Sequence, residues 1–370
     1  MGARLAAWFL VLGLLSPVAF SQIPTQLGTV SNQAIYAPFW STEPGWSTHL
    51  EVRNSKTNDT LIVTPALRQF SGREVALTSR TIAPNDYVEI DVAQELATAA
   101  PELINQTGSY GAVVFRFSGT QARNIYADSM VSMPGHPIAF HFDAIMQDAA
   151  FSAGSQESVW WLPLTTTSDF IIISNSGSAG ISGTLELYDA TGRLSSSAVS
   201  IPASQASRID VGALVRAASF TGTMGGLRLT LPQSGGVVQV AHLLFDETVG
   251  YSAILRAFDR GAPTDIANRQ YIAAMVALSQ PDSALSLPAG TTLTPELIVR
   301  NTSSNVLTAS LNAGWHNGTT WGNANLGQIS LNPNEQGLSA WRSTSRAGLY
   351  LRQHHGLLSP SVTQVREAIL

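Results

Sequence analysis

Leu50-Glu51-Val52-Arg53-Asn54, Ile171-Ile172-Ile173-Ser174-Asn175 and Leu297-Ile298-Val299-Arg300-Asn301 are three apolar runs that each close on Arg-Asn or Ser-Asn. After each, turn-forming residues lead into a further strand-like run. The first two continue to Ile90-Asp91-Val92 and Ile209-Asp210-Val211, then to Gly108-x-x-Gly111 and Gly222-x-x-Gly225, each glycine pair opening an alternating strand. A whole β unit that recurs, with no catalytic signature in any copy, predicts an all-β chain of tandem β-sandwich domains.

Each copy opens on an aromatic-apolar stretch: Tyr36-Ala37-Pro38-Phe39-Trp40, Val159-Trp160-Trp161-Leu162-Pro163 and Tyr271 to Val276. In the second copy Thr184 to Tyr188 alternates apolar and polar residues, Asp189-Ala190-Thr191-Gly192 supplies a turn, and Ala198 to Ile201 returns, which predicts a hairpin. Val113 to Phe117, Leu227 to Leu231, Gln239 to Leu244 and Ala253 to Phe258 read as further strands. About seven short strands per unit of about 110 residues is the count expected of an immunoglobulin-like sandwich. The predicted divisions are a first sandwich over 22–155, a second over 156–263, a partial third over 264–340 and a divergent basic tail over 341–370. Val92 to Ala99 and Val211 to Ala218 are rich in Ala and Leu and follow an aspartate, so each predicts a short helical crossover capped by Asp91 or Asp210.

The third copy departs from the other two. No apolar-Asp-Val phrase follows its Leu331-Asn332-Pro333 turn, and Trp341 to Leu358 carries Arg342, Arg346, Arg352, His354 and His355. Val362, Val365 and Ile369 have helical spacing, so a final amphipathic helix is one reading and a truncated or frame-shifted gene end is the other. A sandwich without its last strands has an open edge, to be capped by the tail, completed by a partner chain, or left prone to aggregate.

The chain has 370 residues, 44% of them hydrophobic, ample for a core in each unit. Only 12% are charged and the net charge is −5, which argues against nucleic acid or an anionic membrane as partner. Residues 1–21 read as a secretory signal peptide: Arg4, an apolar stretch from Leu5 to Leu15, and the small-residue site Ala19-Phe20-Ser21. The apolar stretch is shorter than the roughly 20 residues that span a bilayer, so cleavage after Ser21 is the favoured reading, an uncleaved anchor is the alternative, and no later segment competes as a span. There is no cysteine, so an exported protein here uses no disulfide, which suits a bacterial envelope or extracellular location. Asn58, Asn105, Asn301 and Asn317 match the N-glycosylation pattern, at a frequency chance explains in a chain this rich in Asn, Ser and Thr.

Chemistry-bearing patterns are sparse. No Gly-x-Ser-x-Gly elbow occurs, and Gly222-Thr223-Met224-Gly225-Gly226 lacks a lysine and leads into a strand, not a helix. The best metal-type group is His136, His141 and Asp143, since residues 141 and 143 share one face of a strand, yet a zinc site needs further ligands. No cofactor is implied. Glu89, Asp91, Glu95, Asp246 and Glu247 offer no distinguishable acid pair for glycoside hydrolysis. Tryptophans are the more informative group: Trp40 with Trp46, Trp160 with Trp161, and Trp315 with Trp321. Exposed indoles can stack on a sugar or an aromatic partner, and the competing reading is packing across strands or between units. Trp160 and Trp161 point to opposite sides of one strand, so one is expected in the core and the other exposed or at a junction.

The recurring form, apolar strand to Arg-Asn-Thr/Ser, hairpin, Pro turn, Ile-Asp-Val and Gly-x-x-Gly, resembles the tandem immunoglobulin-like repeats of secreted proteins from soil bacteria of acidobacterial type. Ile272 to Asn301 carries the resemblance most closely. It implies a fold and an exported location and brings no catalytic residue with it. The expected function is an exported, non-catalytic scaffold or adhesion-type protein that meets a surface glycan or protein. The alternatives are a carbohydrate-binding protein using Trp46, Trp315 and Trp321, and a secreted hydrolase, for which a deep pocket with converging acids or further ligands around His141 would speak.

Overall fold

The computed structural model describes residues 34–118, 124–146, 154–231, 237–255, 258–259, 296–316, 321–345 and 348–353. The predicted signal peptide, the stretch Tyr271 to Val276, the His354-His355 pair and the predicted C-terminal helix lie outside the described residues.

The chain is all-β, and among the described residues it is built of antiparallel sheets with two short α-helices. Its first ten strands are β1 (Ala34–Ser41), β2 (Ser47–Asn54), β3 (Leu61–Gln69), β4 (Glu74–Ala76), β5 (Arg80–Ile82), β6 (Tyr87–Asp91), β7 (Tyr110–Ser118), β8 (Ile125–Met133), β9 (Ile138–Asp143) and β10 (Ile145–Met146), with helix α1 (Val92–Ala99) between β6 and β7. Sheet I runs β10-β1-β7-β3-β4 with β5 also on β3, and sheet II runs β6-β2-β8-β9. The next nine are β11 (Ser155–Trp161), β12 (Ser168–Asn175), β13 (Ile181–Asp189), β14 (Leu194–Ile201), β15 (Ala206–Asp210), β16 (Met224–Thr230), β17 (Val238–Asp246), β18 (Tyr251–Leu255) and β19 (Phe258–Asp259), with α2 (Val211–Ala217) between β15 and β16. Sheet III runs β19-β11-β16-β13-β14 and sheet IV runs β15-β12-β17-β18. Strand for strand, sheet III has the order of sheet I and sheet IV the order of sheet II.

The three Asn phrases end in one shared device. Asn54 donates through Nδ2 to the carbonyls of Asp59, Ile82 and Ala83 at 2.8, 3.2 and 3.1 Å. Asn175 does the same to Ala179, Ile201 and Pro202 at 2.8, 3.3 and 3.1 Å, and Asn301 to Asn305, Leu331 and Asn332 at 2.7, 3.1 and 3.0 Å. Each Oδ1 accepts a backbone N–H two residues on, from Lys56, Gly177 or Ser303. All three side chains are buried, so the amide supplies partners to carbonyls at the strand ends, of which those of Ala83, Pro202 and Asn332 also accept a backbone N–H of their own turn. Burial also removes Asn301 as a glycan acceptor. The turn each asparagine holds contains a residue at positive φ, Asn85 (58°), Ser204 (58°) and Asn334 (61°).

Asp91 and Asp210 cap α1 and α2, accepting from the N–H groups of Gln94 and Ala213. The second glycine of each Gly-x-x-Gly pair sits where backbone crosses closely: a Cβ on Gly111 would lie 1.9 Å from the Arg68 carbonyl oxygen, and one on Gly225 2.0 Å from that of Tyr188. Those same carbonyls accept from the indole N–H of Trp40 (3.4 Å) and Trp160 (2.8 Å). Trp160 and Trp161 are both buried. Trp160 lies in the core of Ile171, Ile173, Leu185, Leu227 and Leu229, while Trp161 packs with Val159, Leu244 and Leu255, so neither faces solvent.

The last strands are β20 (Glu296–Arg300), β21 (Leu307–His316), β22 (Trp321–Leu331), β23 (Gln336–Ser345) and β24 (Gly348–Gln353), arranged as β20-β23-β24 and β21-β22. β20 pairs with β23 as β2 pairs with β6, and β21 with β22 as β13 with β14. Where the first two segments turn into a capped helix after Ile-Asp, β23 runs on and folds back as β24. The missing aspartate removes the cap, and the chain takes a hairpin in its place.

Sheets I and II share one apolar core, centred on Trp40, Leu50, Val52, Leu67, Ile90, Val113, Phe115 and Val131. That core does not stop at the first pair of sheets. Ile172, Ala241, Leu243 and Phe245 from the outer side of sheet IV belong to it. Sheet IV is therefore buried on both faces, which is why β12 and β17 read as continuous apolar runs and β2 as an alternating one.

Candidate functional site

Strand alternation sends Leu50, Val52, Ile90, Ala127 and Val131 inward and their neighbours to the outer face of sheet II. Register sets those neighbours in rows. Arg53 on β2 lies opposite Tyr87 on β6 and Tyr126 on β8. The next row holds four carboxylates side by side, Glu89, Glu51, Asp128 and Asp143, and the third holds Asp91, His49, Met130 and His141. Tyr87 (56% exposed), Tyr126 (60%) and Met130 (41%) stand out among large side chains because they share one open face. The two tyrosines sit two strand spacings apart, about 10 Å.

The corresponding face of sheet IV is an interface. Its residues Phe170, Ile172, Ser174, Arg208, Gln239, Ala241 and Leu243 stand where sheet II has His49, Glu51, Arg53, Glu89, Tyr126, Asp128 and Met130. Ser174 Oγ donates to the Pro38 carbonyl at 2.9 Å and Gln239 Nε2 to that of Tyr36 at 2.7 Å. Arg208 pairs with Glu43 and lies over the Tyr110 ring at 4.4 Å. β20 is applied to the second pair of sheets in the same way. Arg300, in the position of Ser174, donates to the carbonyls of Ser158 (3.1 Å) and Leu227 (2.8 Å) and pairs with Glu157, where Ser158 stands in the position of Pro38. Burial pushes the Arg300 guanidinium below its ordinary value, against the opposing pull of the Glu157 carboxylate. The turns correspond too: Gln205 reaches the Ser71 carbonyl at 3.1 Å and Gln336 that of Asp189 at 3.3 Å. One strand face thus docks twice along the chain and stands open on sheet II among the described residues.

His141 and Asp143 belong to this open face. His141 Nε2 is 3.0 Å from Asp128 Oδ2, its Nδ1 is 4.0 Å from Asp143 Oδ1, and the ring is largely exposed. His136 lies apart from them on the β8–β9 turn. Among the described residues no three His, Asp or Glu side chains are placed to hold a metal. Trp46 is half-buried: its ring stacks on Phe140 at 6.1 Å and meets the edge of Phe245 at 5.3 Å, in the junction between the two pairs of sheets. Trp315 and Trp321 lie on β21 and β22, with His316 opposite Trp321 and Trp315 opposite Gly322. Their side chains lie outside the described residues.

A second constellation went unread in the sequence. His242 Nε2 is 2.6 Å from Asp169 Oδ1 and its Nδ1 is 3.0 Å from Ser158 Oγ, which is the connectivity of a nucleophilic triad. Asp169 also accepts from the Trp161 N–H at 3.0 Å. Ser158 is on sheet III and the other two are on sheet IV, so the chain of hydrogen bonds bridges the layers from inside. Ser158 is 5% exposed, His242 1% and Asp169 0%. A nucleophile must reach a substrate carbonyl, and this serine is packed between two sheets, so the arrangement does the work of a polar bolt. A histidine inside the run Val240-Ala241-His242-Leu243-Leu244 is the signal that marks it.

No helix of the described residues is long and apolar enough to cross a membrane. Compared with known proteins, the chain matches no family model, no curated protein and no solved structure.

Proposed function

We propose that the protein is an exported, non-catalytic scaffold or adhesion-type protein of tandem immunoglobulin-like β-sandwich repeats, which offers the outer face of sheet II to a surface partner. The observation that carries this reading is the contrast between equivalent faces: Ile172, Ala241 and Leu243 are buried at a junction, whereas Glu51, Asp128 and Met130 look outward beside Tyr87 and Tyr126. Tyrosine, arginine and methionine are the residues enriched where proteins meet. Burial of Ser158 speaks for the non-catalytic part of the proposal and against the hydrolase alternative. The carbohydrate-binding alternative loses Trp46 as a platform, since its indole is taken up by the protein's own rings, stacked on Phe140 and edge-on to Phe245.

The test is retention of the purified chain, from residue 22 onward, on isolated bacterial envelopes and extracellular matrix. Retention that falls in the Tyr87→Ala/Tyr126→Ala variant is the expected result. No retention on any surface, or labelling of Ser158 by a serine-directed phosphonate, overturns the proposal.

A further inference from the structure

We infer that the outer face of sheet II receives a partner protein through a Lys/Arg-rich segment, an inference that rests on the scaffold reading above and names its partner class. Two independent features converge on it. The first is continuity with an interface mode already present in the molecule: the equivalent strands, in the same register, form the docking face of sheet IV, and Arg300 of β20 docks from the equivalent position. The second is charge. Like charges directly opposite one another in a sheet are destabilising, yet Glu89, Glu51, Asp128 and Asp143 follow each other across four neighbouring strands.

The row on sheet IV shows that the fold does not require this, because Arg208, Ile172 and Ala241 occupy the equivalent places. Among the described residues neither Glu51 nor Glu89 meets a cation, and His141 is the partner of Asp128. A local rule broken without compensation among the described residues points to a role beyond them. Guanidinium groups satisfy both parts of the surface: they bind carboxylates through paired hydrogen bonds and lie flat on tyrosine rings. Successive rows are two residues apart, about 7 Å, the spacing at which alternate side chains of an extended segment project.

The experiment measures fluorescence anisotropy of a labelled peptide alternating arginine and glycine, against the chain from residue 22 onward at low and physiological salt. The variant Glu51→Gln/Glu89→Gln/Asp128→Asn is compared with a charge-matched control, Asp59→Asn/Glu102→Gln/Glu247→Gln. Expected are salt-sensitive binding, a loss of at least about tenfold in the face variant, and little change in the control. The face variant should also unfold no earlier than the unsubstituted chain, because its changes relieve repulsion, so that loss of binding is not loss of fold. Absence of peptide binding, equal losses in both variants, or equal binding of a chito-oligosaccharide or an acidic peptide overturns the inference. If envelope retention persists in the face variant, the scaffold proposal stands while this one falls.

Discussion

Replacing Asn175 tests the buried amide on which three strand ends depend. Its Nδ2 serves the carbonyls of Ala179, Ile201 and Pro202, its Oδ1 accepts from Gly177 N–H, and the side chain is buried. In Asn175→Ala the two Nδ2 hydrogens shared among three carbonyls and the Oδ1 acceptor are lost, each bond worth about 1 kcal/mol net, so a destabilisation of about 3 kcal/mol is expected, roughly a hundredfold in the folded population. Asn175→Asp has nearly the same shape but replaces two donors by an acceptor that faces three carbonyl oxygens. It should be worse than alanine near neutral pH and recover in acid, when the carboxyl can donate. Urea unfolding followed by tryptophan fluorescence, across that pH range, gives both midpoints. The reasoning is refuted if alanine costs less than about 0.5 kcal/mol, the scale of an inert surface change, or if aspartate is the milder substitution at neutral pH.

Arg300→Leu should destabilise by about 3 kcal/mol, since Glu157 then stays buried without the Arg300 guanidinium, and adding Glu157→Leu should recover part of that loss in the same unfolding assay. Gly225→Ala forces a Cβ to 2.0 Å from the Tyr188 carbonyl and 2.4 Å from the Trp160 ring, and should shift tryptophan emission to the red and lower the thermal midpoint. For acid stability, hydrogen bonding from Arg116 holds the Glu74 carboxyl below its ordinary value of 4.5. Burial pushes Glu95 up, but bonds from Thr78 and Arg80 outweigh it and leave it lowered as well. Both contributions are present above 4.5 and vanish as pH falls through the depressed values, so urea midpoints taken from about pH 6 to about pH 3 should fall less steeply in Glu95→Gln than in the unsubstituted chain.

Local order was legible where its cause is local. Period-two alternation, Asp189 to Gly192 as a turn, and Asp91 and Asp210 as caps each depend on a few consecutive residues, and they form the elements the sequence predicts. The Asn phrase was visible as a pattern, but its purpose was not: Asn54 reaches Ile82 and Ala83 across nearly thirty residues, and nothing in Leu50 to Asn54 announces those carbonyls. Alternation likewise identifies two faces of a strand without saying what lies beyond the outer one. Ile172 and Glu51 occupy the same place in two sheets of the same order, one beneath neighbouring sheets and one in the open.

The sequence by itself determined strands, turns and caps, because each follows from backbone sterics and from hydrogen bonds between near neighbours. Only the tertiary structure decided that sheet IV would be buried on both sides, that Trp46 would pack between Phe140 and Phe245, and that Ser158, Asp169 and His242 would meet. Those outcomes depend on surfaces brought together from distant parts of the chain, and burial at a junction belongs to both surfaces at once.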